Sequence, residues 1–303
     1  MRSPALVCLG NFTIDDVMLP DGREMPGCIG GDALYATLAA RPWEPSCELV
    51  APVGNDFPAE ISERMRKAGL ADDGLPRHDL PTLHNRVEYF ADGTRRWTLF
   101  ATEREFDELS PRPADIPASY RNARAFMVLA MTLSAQRDLV ADLRANTRAI
   151  VALDPQEDYI EGNEAAIRTM VSQLDIFMPS AEEVQRLLGT GDWDVAARAL
   201  AELGPQVVVI KLGAEGSLIY DRRRDAQFRI PAFPVKNVVD TTGAGDSFCG
   251  AFMACYLQDP ARPEEAARAG AVAASFAVEG YGVDPLFEAL PARMRERLET
   301  WRI

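Results

Sequence analysis

Short apolar runs alternate with longer amphipathic stretches along the first two thirds of the chain. The apolar runs contain few charged residues and are about five to seven residues long. Continuous runs of this kind are typical of strands that are covered on both faces, as in a parallel sheet. Six strands are predicted on this basis: residues 5–10, 47–53, 124–130, 148–153, 174–178 and 206–210.

Helical patterns fill the intervals between these strands. Regular alternation of strand and helix predicts a doubly wound α/β fold, in which a mainly parallel sheet carries helices on both faces. The predicted helices are residues 32–40, 59–68, 135–146, 162–171, 181–188 and 195–203. Residues 216–220 and 227–233 predict a later antiparallel pair of strands, and most of the chain after Gly243 predicts helix.

Two segments interrupt this alternation. Residues 12–31 contain turn residues without a helical period, and residues 83–100 contain two β-prone runs on either side of Asp92-Gly93. An Asp-Gly pair between such runs is a strong signal for a hairpin. We expect residues 1–303 to form a single domain, in which the two segments form a small sheet that stands off the main sheet.

Composition and charge disfavour several classes of protein. Of the 303 residues, 47% are hydrophobic and 26% are charged, as in ordinary globular proteins. No apolar run is long enough for a membrane span, and a formal net charge of −14 disfavours binding to nucleic acid or anionic lipid. The five cysteines form no CxxC pair, which favours reduced thiols in a cytoplasmic protein. With only two histidines, a zinc cluster or a histidine-based triad is disfavoured.

The string DTTGAGDSFCGAFM, residues 240–253, is the strongest chemical signal in the chain. Small residues at Gly243, Ala244 and Gly245 leave backbone N–H groups free to face a ligand, and a helix N-terminus adds positive partial charge. This combination predicts an anion site, most naturally for a phosphate. Asp246 follows directly and fits a base that takes a proton from an alcohol attacking the phosphorus. The alternative is that Asp246 caps the helix and the glycines form a tight turn.

This string resembles the second signature of the ribokinase-like (PfkB) family of sugar and nucleoside kinases. Three further stretches carry the resemblance over nearly the whole chain: VCLGNFTIDD at residues 7–16 with Gly30-Gly31, VGND at residues 53–56, and VVVIKLGAEGS at residues 207–217. They are similar to the family's first strand and substrate di-glycine, its VGxD turn, and its strand beside the nucleotide. The resemblance implies a doubly wound α/β domain with a β-sheet lid, formed here by residues 12–31 and 83–102.

The resemblance also implies roles for particular residues. Asp246 matches the family's catalytic base, and the backbone amides of Gly243, Ala244 and Gly245 match its anion hole. The implied substrate contacts are Asp15, Gly31, Asp32 and Tyr35. The implied ATP contacts are Ser180, Lys211, Gly213 and Gly216, and Glu183 is the implied carboxylate at magnesium.

Several of these assignments leave alternatives open. Tyr35 and Ser180 each stand where the family usually has Asn, and Tyr35 either contacts the substrate or packs into the core under the lid. Lys211 is either a nucleotide contact or an exposed charge at a strand end. Spacing from the first strand favours Asp15 over Asp16 as the acid that contacts the substrate.

We therefore expect an ATP- and magnesium-dependent kinase that phosphorylates a hydroxyl of a small sugar or polyol, with Asp246 as the general base. A nucleoside or vitamin kinase is the alternative with the same chemistry, favoured if Tyr35, Tyr89 or Trp97 stacks on a ring. A non-catalytic sugar or nucleotide sensor is the third alternative, against which the intact base and glycines argue. The implied assembly is a homodimer through the lid.

Overall fold

The described residues of this computed structural model, 3–90, 95–289 and 291–302, form strands that alternate with helices as predicted. The strands are β1 (Leu6–Leu9), β2 (Thr13–Met18), β3 (Glu24–Gly30), β4 (Cys47–Val50), β5 (Leu83–Tyr89), β6 (Arg95–Leu99), β7 (Ala125–Val128), β8 (Ile150–Leu153), β9 (Ile176–Phe177), β10 (Val207–Lys211), β11 (Ser217–Asp221) and β12 (Ala226–Ile230). The helices are α1 (Asp32–Ala40), α2 (Ala59–Lys67), α3 (Glu103–Glu108), α4 (Leu133–Asn146), α5 (Glu164–Val171), α6 (Ala181–Leu188), α7 (Trp193–Leu203), α8 (Ala244–Tyr256), α9 (Pro263–Ala277), α10 (Asp284–Glu288) and α11 (Pro291–Thr300). None of the described helices is long and apolar enough to span a membrane.

The main sheet confirms the predicted doubly wound α/β fold. Its strand order is β12-β11-β10-β9-β8-β7-β1-β4, and every pair from β4 to β10 is parallel. Strands β11 and β12 form the predicted antiparallel pair at one edge. Helices α1, α8 and α9 bury apolar side chains on one face of the sheet, and α4 to α7 bury a second cluster on the other face.

Five of the six predicted strands, residues 5–10, 47–53, 124–130, 148–153 and 174–178, are longer than the observed strands. Strand β4 ends at Val50 because the N–H groups of Ala51 and Val53 turn away to the carbonyl oxygens of Gly74 and Pro76, at 2.8 and 2.9 Å. Strand β9 contains only two residues. Leu174, predicted to begin it, still belongs to the turn after α5, where its N–H donates to the carbonyl of Val171 at 3.1 Å.

The two interrupting segments form a second sheet of order β3-β2-β5-β6, here called the lid sheet. The predicted small sheet is thus confirmed, and the two segments meet through the parallel pair of β2 and β5. The sequence pattern does not predict that parallel pairing, nor helix α3, which a capping box of Thr102 and Glu105 begins. The predicted turn at Asp92-Gly93 lies outside the described residues.

Strand β1 lies at the point where the order of the main sheet reverses. Strand β4 is its neighbour on one side and β7 on the other. In doubly wound sheets, ligands bind in the crevice beyond the carboxyl ends of the strands at such a point. The residues at or just after these strand ends include Asn11, Ala130, Asp154 and Lys211. The topology therefore locates the candidate site at this edge of the sheet.

Candidate active site

A tight turn precedes helix α8. Asp240 is buried, and its Oδ1 accepts the N–H of Thr242 at 2.8 Å. Gly243 is the N-cap residue and has a φ of 73°, a left-handed conformation that glycine adopts without strain. The N–H groups of the first turn of any helix have no acceptor within the helix, and the helix dipole favours negative charge there. The turn from Asp240 to Gly243 and the start of α8, here called the anion turn, therefore have the geometry of an anion site.

Tyr35 supports the anion turn from the core. A Cβ atom on Gly243 would lie 2.2 Å from Cδ1 of Tyr35, so the aromatic ring fills the space next to this glycine. Tyr35 is only 2% exposed, yet it also lines the cleft that contains Asp246. The two alternatives for Tyr35 are therefore compatible, because the ring packs in the core and still borders the cleft.

Neighbouring residues at the start of α8 line two different clefts. A cleft of about 340 Å³, the small cleft, includes Gly243 and Asp246 in its wall. A cleft of about 670 Å³, the large cleft, includes Ala244 and Gly245. The anion turn is thus the partition between them, and a group held at its amides lies between the two clefts.

The two clefts separate the predicted site residues by role. The small cleft contains all four predicted substrate contacts, Asp15, Gly31, Asp32 and Tyr35. The large cleft contains all four predicted ATP contacts, Ser180, Lys211, Gly213 and Gly216. The structure brings these two sets of residues, which are far apart in sequence, to adjacent clefts. Their roles in binding the substrate and ATP stay predictions.

Asp15, rather than Asp16, faces the small cleft. Its carboxylate is buried and accepts hydrogen bonds from Asn85 Nδ2 at 2.8 Å and from Thr13 Oγ1 at 3.4 Å. Burial raises the pKa of Asp15 to about 6, and the two hydrogen bonds oppose that rise. Asp16 lies outside the cleft lining, where its Oδ2 is 3.2 Å from His84 Nε2. The geometry therefore supports the choice of Asp15.

Lys211 is not an exposed charge at a strand end. Its side chain is 15% exposed and forms an ion pair with Asp154, which is 5% exposed. Cys249 Sγ donates to the same carboxylate oxygen of Asp154 at 3.5 Å. Burial opposes the charge on Lys211, but Asp154, Cys249 and Glu183 together outweigh burial and hold the pKa of Lys211 above its ordinary value. The ammonium group thus stays charged in the wall of the large cleft.

Replacing Lys211 by Met is expected to lower the free energy of unfolding by about 3–5 kcal/mol, because Asp154 is then a buried charge without its partner. Chemical denaturation checks this loss, and adding Asp154→Asn is expected to restore part of it. The matched control is Lys67→Met, since Lys67 is 75% exposed and pairs with Glu63 only at the surface. Equal stability of Lys211→Met and Lys67→Met would contradict the account of the buried pair.

Ser180 and Glu183 form a capping box at the start of α6. Ser180 Oγ accepts the N–H of Glu183 at 3.2 Å, and Glu183 Oε2 accepts the N–H of Ser180 at 2.6 Å. Burial, followed by the charge of Asp154, raises the pKa of Glu183 to about 8. Ser180 lines the large cleft and Glu183 does not. The assignment of Glu183 to magnesium stays a prediction. Among the described residues, no group of three or more His, Cys, Asp or Glu side chains is arranged to hold a metal ion.

Asp246 lies in an acidic environment in the first turn of α8. Burial, followed by the charge of Asp154, raises its pKa to about 6, while Lys211 acts in the opposite sense. Burial and the charge of Asp246 likewise raise the pKa of Asp32 well above its ordinary value. A carboxyl group with a pKa near neutrality is suited to accept a proton in a reaction.

Sequence reasoning missed part of the lining of the small cleft. The missed polar residues are Asn11, Thr13, Asn85, Gln156, Glu157, Asp158 and Thr242. Phe106 is the aromatic ring that α3 adds to the cleft. The lid aromatic Tyr89 is not among the lining residues, and its hydroxyl lies 3.4 Å from Thr242 Oγ1. Asn11, Thr13 and Thr242 lie within the motif stretches at residues 7–16 and 240–253, which is the signal that the sequence offered for them.

The sequence model described as pfkB family carbohydrate kinase matches residues 28–289 of this chain. The chain belongs to this family. Membership of the pfkB family makes the protein an ATP-dependent phosphotransferase that acts on an alcohol group. The two clefts on either side of the anion turn thus belong to a carbohydrate or nucleoside kinase.

The relatives of this chain have names that refer to different substrates. The chain is 33% identical over 275 residues to a cytidine kinase of Thermococcus kodakarensis, with 88% of this chain and 92% of that protein covered. It is 30% identical to a 2-dehydro-3-deoxygluconokinase of Thermoproteus tenax, with 89% and 83% covered. The structure of Arabidopsis thaliana ribokinase complexed with ribose and ATP superposes with a TM-score of 0.79 at 21% identity, covering 99% of this chain and 100% of that one. This last likeness shows the ribokinase fold.

Proposed function

We propose that this pfkB family kinase transfers the γ-phosphate of ATP to a hydroxyl of a small sugar, polyol or nucleoside, with Asp246 as the general base. The observation that carries the proposal is the partition between the clefts. Asp246 faces the small cleft, while Ala244 and Gly245 of the same turn face the large one. A phosphoryl group held at this turn is therefore accessible to a hydroxyl from the other side.

The large cleft suits the nucleotide. Lys211 supplies a buried cation, and Gly245 leaves the space in front of it open, since a Cβ there would lie 3.5 Å from Lys211 Nζ. Much of the lining of this cleft is apolar and suits an adenine ring. The apolar lining residues include Ala232, Phe233, Pro234, Val235, Val238, Phe248, Ala271, Ala274 and Val278. A cation for the phosphates and an apolar surface for the base match the two ends of ATP.

The small cleft suits the acceptor. Asp15 and Asp32 accept hydrogen bonds from substrate hydroxyls, and Asp246 takes the proton of the hydroxyl that attacks the γ-phosphorus. The new O–P bond forms as the bond between the γ-phosphorus and the leaving oxygen of ADP breaks. The N–H groups of the anion turn stabilise the charge on the transferred group.

Magnesium is proposed to accompany the nucleotide. Kinases commonly hold this ion through the phosphates, several waters and one or two carboxylates. Glu183 is the proposed carboxylate, and it would hold the ion through water, because it does not itself line the large cleft. Its Oε2 accepts the N–H of Ser180, while Oε1 makes no hydrogen bond among the described residues. When bound, the ion would neutralise charge on the phosphates.

One observation favours a nucleoside over a free sugar as the acceptor. Phe106 places an aromatic ring in the small cleft, and a base can stack on such a face. The name of the Thermococcus kodakarensis relative, cytidine kinase, agrees with this choice. A sensor without activity is disfavoured because the base and the anion turn are both present. A homodimer through the lid sheet and a cytoplasmic location stay predictions.

The test is release of ADP from ATP and Mg²⁺ with a panel of ribonucleosides, pentoses, hexoses and polyols. We expect at least one acceptor to raise ADP release about tenfold or more over ATP alone, because a water-excluding site protects ATP until the acceptor binds. Mass spectrometry should find the same acceptor with one added phosphoryl group. ADP release that no acceptor changes would contradict the proposed function.

A further inference from the structure

The charged residues that line the small cleft all carry the same sign. Among the described lining residues they are Asp15, Asp32, Glu157, Asp158 and Asp246. No Lys, Arg or His is among the described residues of this lining. The buried cation of the site, Lys211, lines the large cleft instead. Glu157 forms an ion pair with Arg186, which itself lies outside the lining. A negative group on an acceptor substrate therefore meets no positively charged side chain in the described lining of the small cleft.

The neutral polar side chains of the cleft do not compensate for this charge. Asn85 Nδ2 and Thr13 Oγ1 already donate to Asp15, at 2.8 and 3.4 Å. Gln156 Nε2 donates to Asp158 at 3.1 Å. Asn11 Nδ2 donates to the backbone carbonyl of Leu109 at 2.9 Å. Each of these four donor groups already has a protein acceptor, and the carboxylate oxygens of the cleft outnumber the donors that its side chains offer to a ligand.

The carboxyl groups already repel one another before any substrate binds. The pKa of Asp32 is raised by burial and then by Asp246, Asp154 and Asp15. A carboxylate or phosphate on the substrate adds one more negative charge at short range, in a cleft where water screens poorly. Hydroxyl and amino groups, in contrast, donate the hydrogen bonds that the carboxylates accept.

We propose that the small cleft selects an uncharged, hydroxyl-rich acceptor, such as a nucleoside or neutral sugar, and rejects sugars that carry a carboxylate or a phosphate. This inference rests on the proposed function in assigning the small cleft to the acceptor. Discrimination against charged acceptors follows from the negative charge of the lining and from its excess of carboxylate oxygens over donors, and no single residue accounts for it.

Two matched pairs of acceptors test this selection. The first pair is cytidine and cytidine 3′-phosphate, which keeps the 5′-hydroxyl free. The second is the methyl ester of 2-dehydro-3-deoxygluconate and the free acid, which have similar shapes. Within each pair whose neutral member is a substrate, we expect kcat/KM to be at least about 100-fold lower for the charged member. Each tenfold decrease in kcat/KM corresponds to about 1.4 kcal/mol of repulsion. Charged members used within about threefold of the neutral ones would overturn the proposal.

A charge series at Asp158 separates charge from shape. Asp158 is exposed at the rim of the cleft, so Asp158→Asn and Asp158→Lys are expected to fold normally. The ratio of kcat/KM for the neutral over the charged acceptor should fall from the wild type to Asp158→Asn and again to Asp158→Lys, by about tenfold or more in the lysine variant. Added salt should reduce this difference between the variants. Glu202→Lys makes the same change of net charge on an exposed site of α7 and should leave the preference unchanged. An equal effect of both lysine variants, or none of Asp158→Lys, would overturn the proposal.

Calorimetric binding without ATP keeps this inference separate from the kinase activity. Neutral acceptors that bind at least about 100-fold more tightly than their charged counterparts support the inference even if no ADP is released. Absence of turnover with every acceptor then counts against the proposed function alone. Charged acceptors that bind as tightly as neutral ones count against the inference, whatever the turnover.

Discussion

Replacing Asp246 by Asn is expected to lower kcat by about 10²–10⁴-fold while the KM for ATP changes little. The amide has nearly the same size as the carboxyl group but cannot accept the proton of the attacking hydroxyl. Wild-type kcat/KM should also fall below about pH 6, since the pKa of Asp246 is about 6 and its protonated form is no base. Release of ADP at saturating acceptor checks the expected loss of kcat, and its rate at low acceptor concentration, measured against pH, checks the fall in kcat/KM.

The matched control for this variant is Asp16→Asn. Asp16 lies in the lid sheet near His84 and outside the lining of the small cleft, so the substitution removes one negative charge without removing the proposed base. We expect it to keep kcat within a few-fold of the wild-type value. Comparable turnover of Asp246→Asn and the wild type would exclude Asp246 as the base.

The same Asp246→Asn variant is expected to be more stable than the wild type at pH 8 and equally stable at pH 4. Burial and Asp154 raise the pKa of Asp246 from 3.8 to about 6. A raised pKa in the folded state gives stability that is present below the unfolded value and is lost as pH rises through the folded value. The wild type therefore loses this stability over the range from about pH 4 to above pH 6, and the variant does not. A lower Tm of the variant at pH 8 would instead indicate that favourable contacts hold the carboxylate.

Gly243→Ala is the second substitution with a large expected effect, a loss of about 10²-fold or more in kcat. The new Cβ would lie 2.2 Å from the ring of Tyr35, and the φ of 73° is strained for alanine. The turn must shift, and misplacing even one N–H donor at a developing charge costs about 10²–10³-fold. Steady-state kinetics, with circular dichroism to verify the fold, measures this loss.

Gly189→Ala separates backbone strain from the collision with Tyr35. Gly189 ends α6 with a φ of 70°, but a Cβ there would meet nothing within 4 Å. It therefore carries a similar conformational cost, about 1–2 kcal/mol, without displacing the anion turn. We expect a modest loss of stability and near-normal kcat in this control. An active Gly243→Ala enzyme would mean that the geometry of the turn is unimportant for the reaction.

The main sheet was predictable because its strands are buried on both faces. Val208, Val209 and their neighbours in β10 form a continuous apolar run that has few other structural explanations. The anion turn was also predictable from a short stretch, since glycine directly before a helix permits the left-handed conformation that Gly243 adopts. In both cases a short stretch of sequence is enough to predict the local structure.

The partners of the site residues were not predictable, because they depend on contacts between distant segments. Asp154 and Lys211 are 57 residues apart, and their pairing follows from the order of the parallel strands. Asn85 reaches Asp15 through the parallel pairing of β2 and β5, which no local pattern specifies. The packing of Tyr35 against Gly243 likewise joins two helices from opposite ends of the chain.

A crystal structure with cytidine and a non-hydrolysable ATP analogue tests the central claim most directly. We predict that an acceptor hydroxyl lies about 2.6–3.2 Å from a carboxylate oxygen of Asp246, the range for proton transfer to a general base. The γ-phosphate should contact the N–H groups between Gly243 and Gly245, with the adenine in the large cleft. An acceptor hydroxyl remote from Asp246, or a γ-phosphate bound away from the anion turn, would contradict the account.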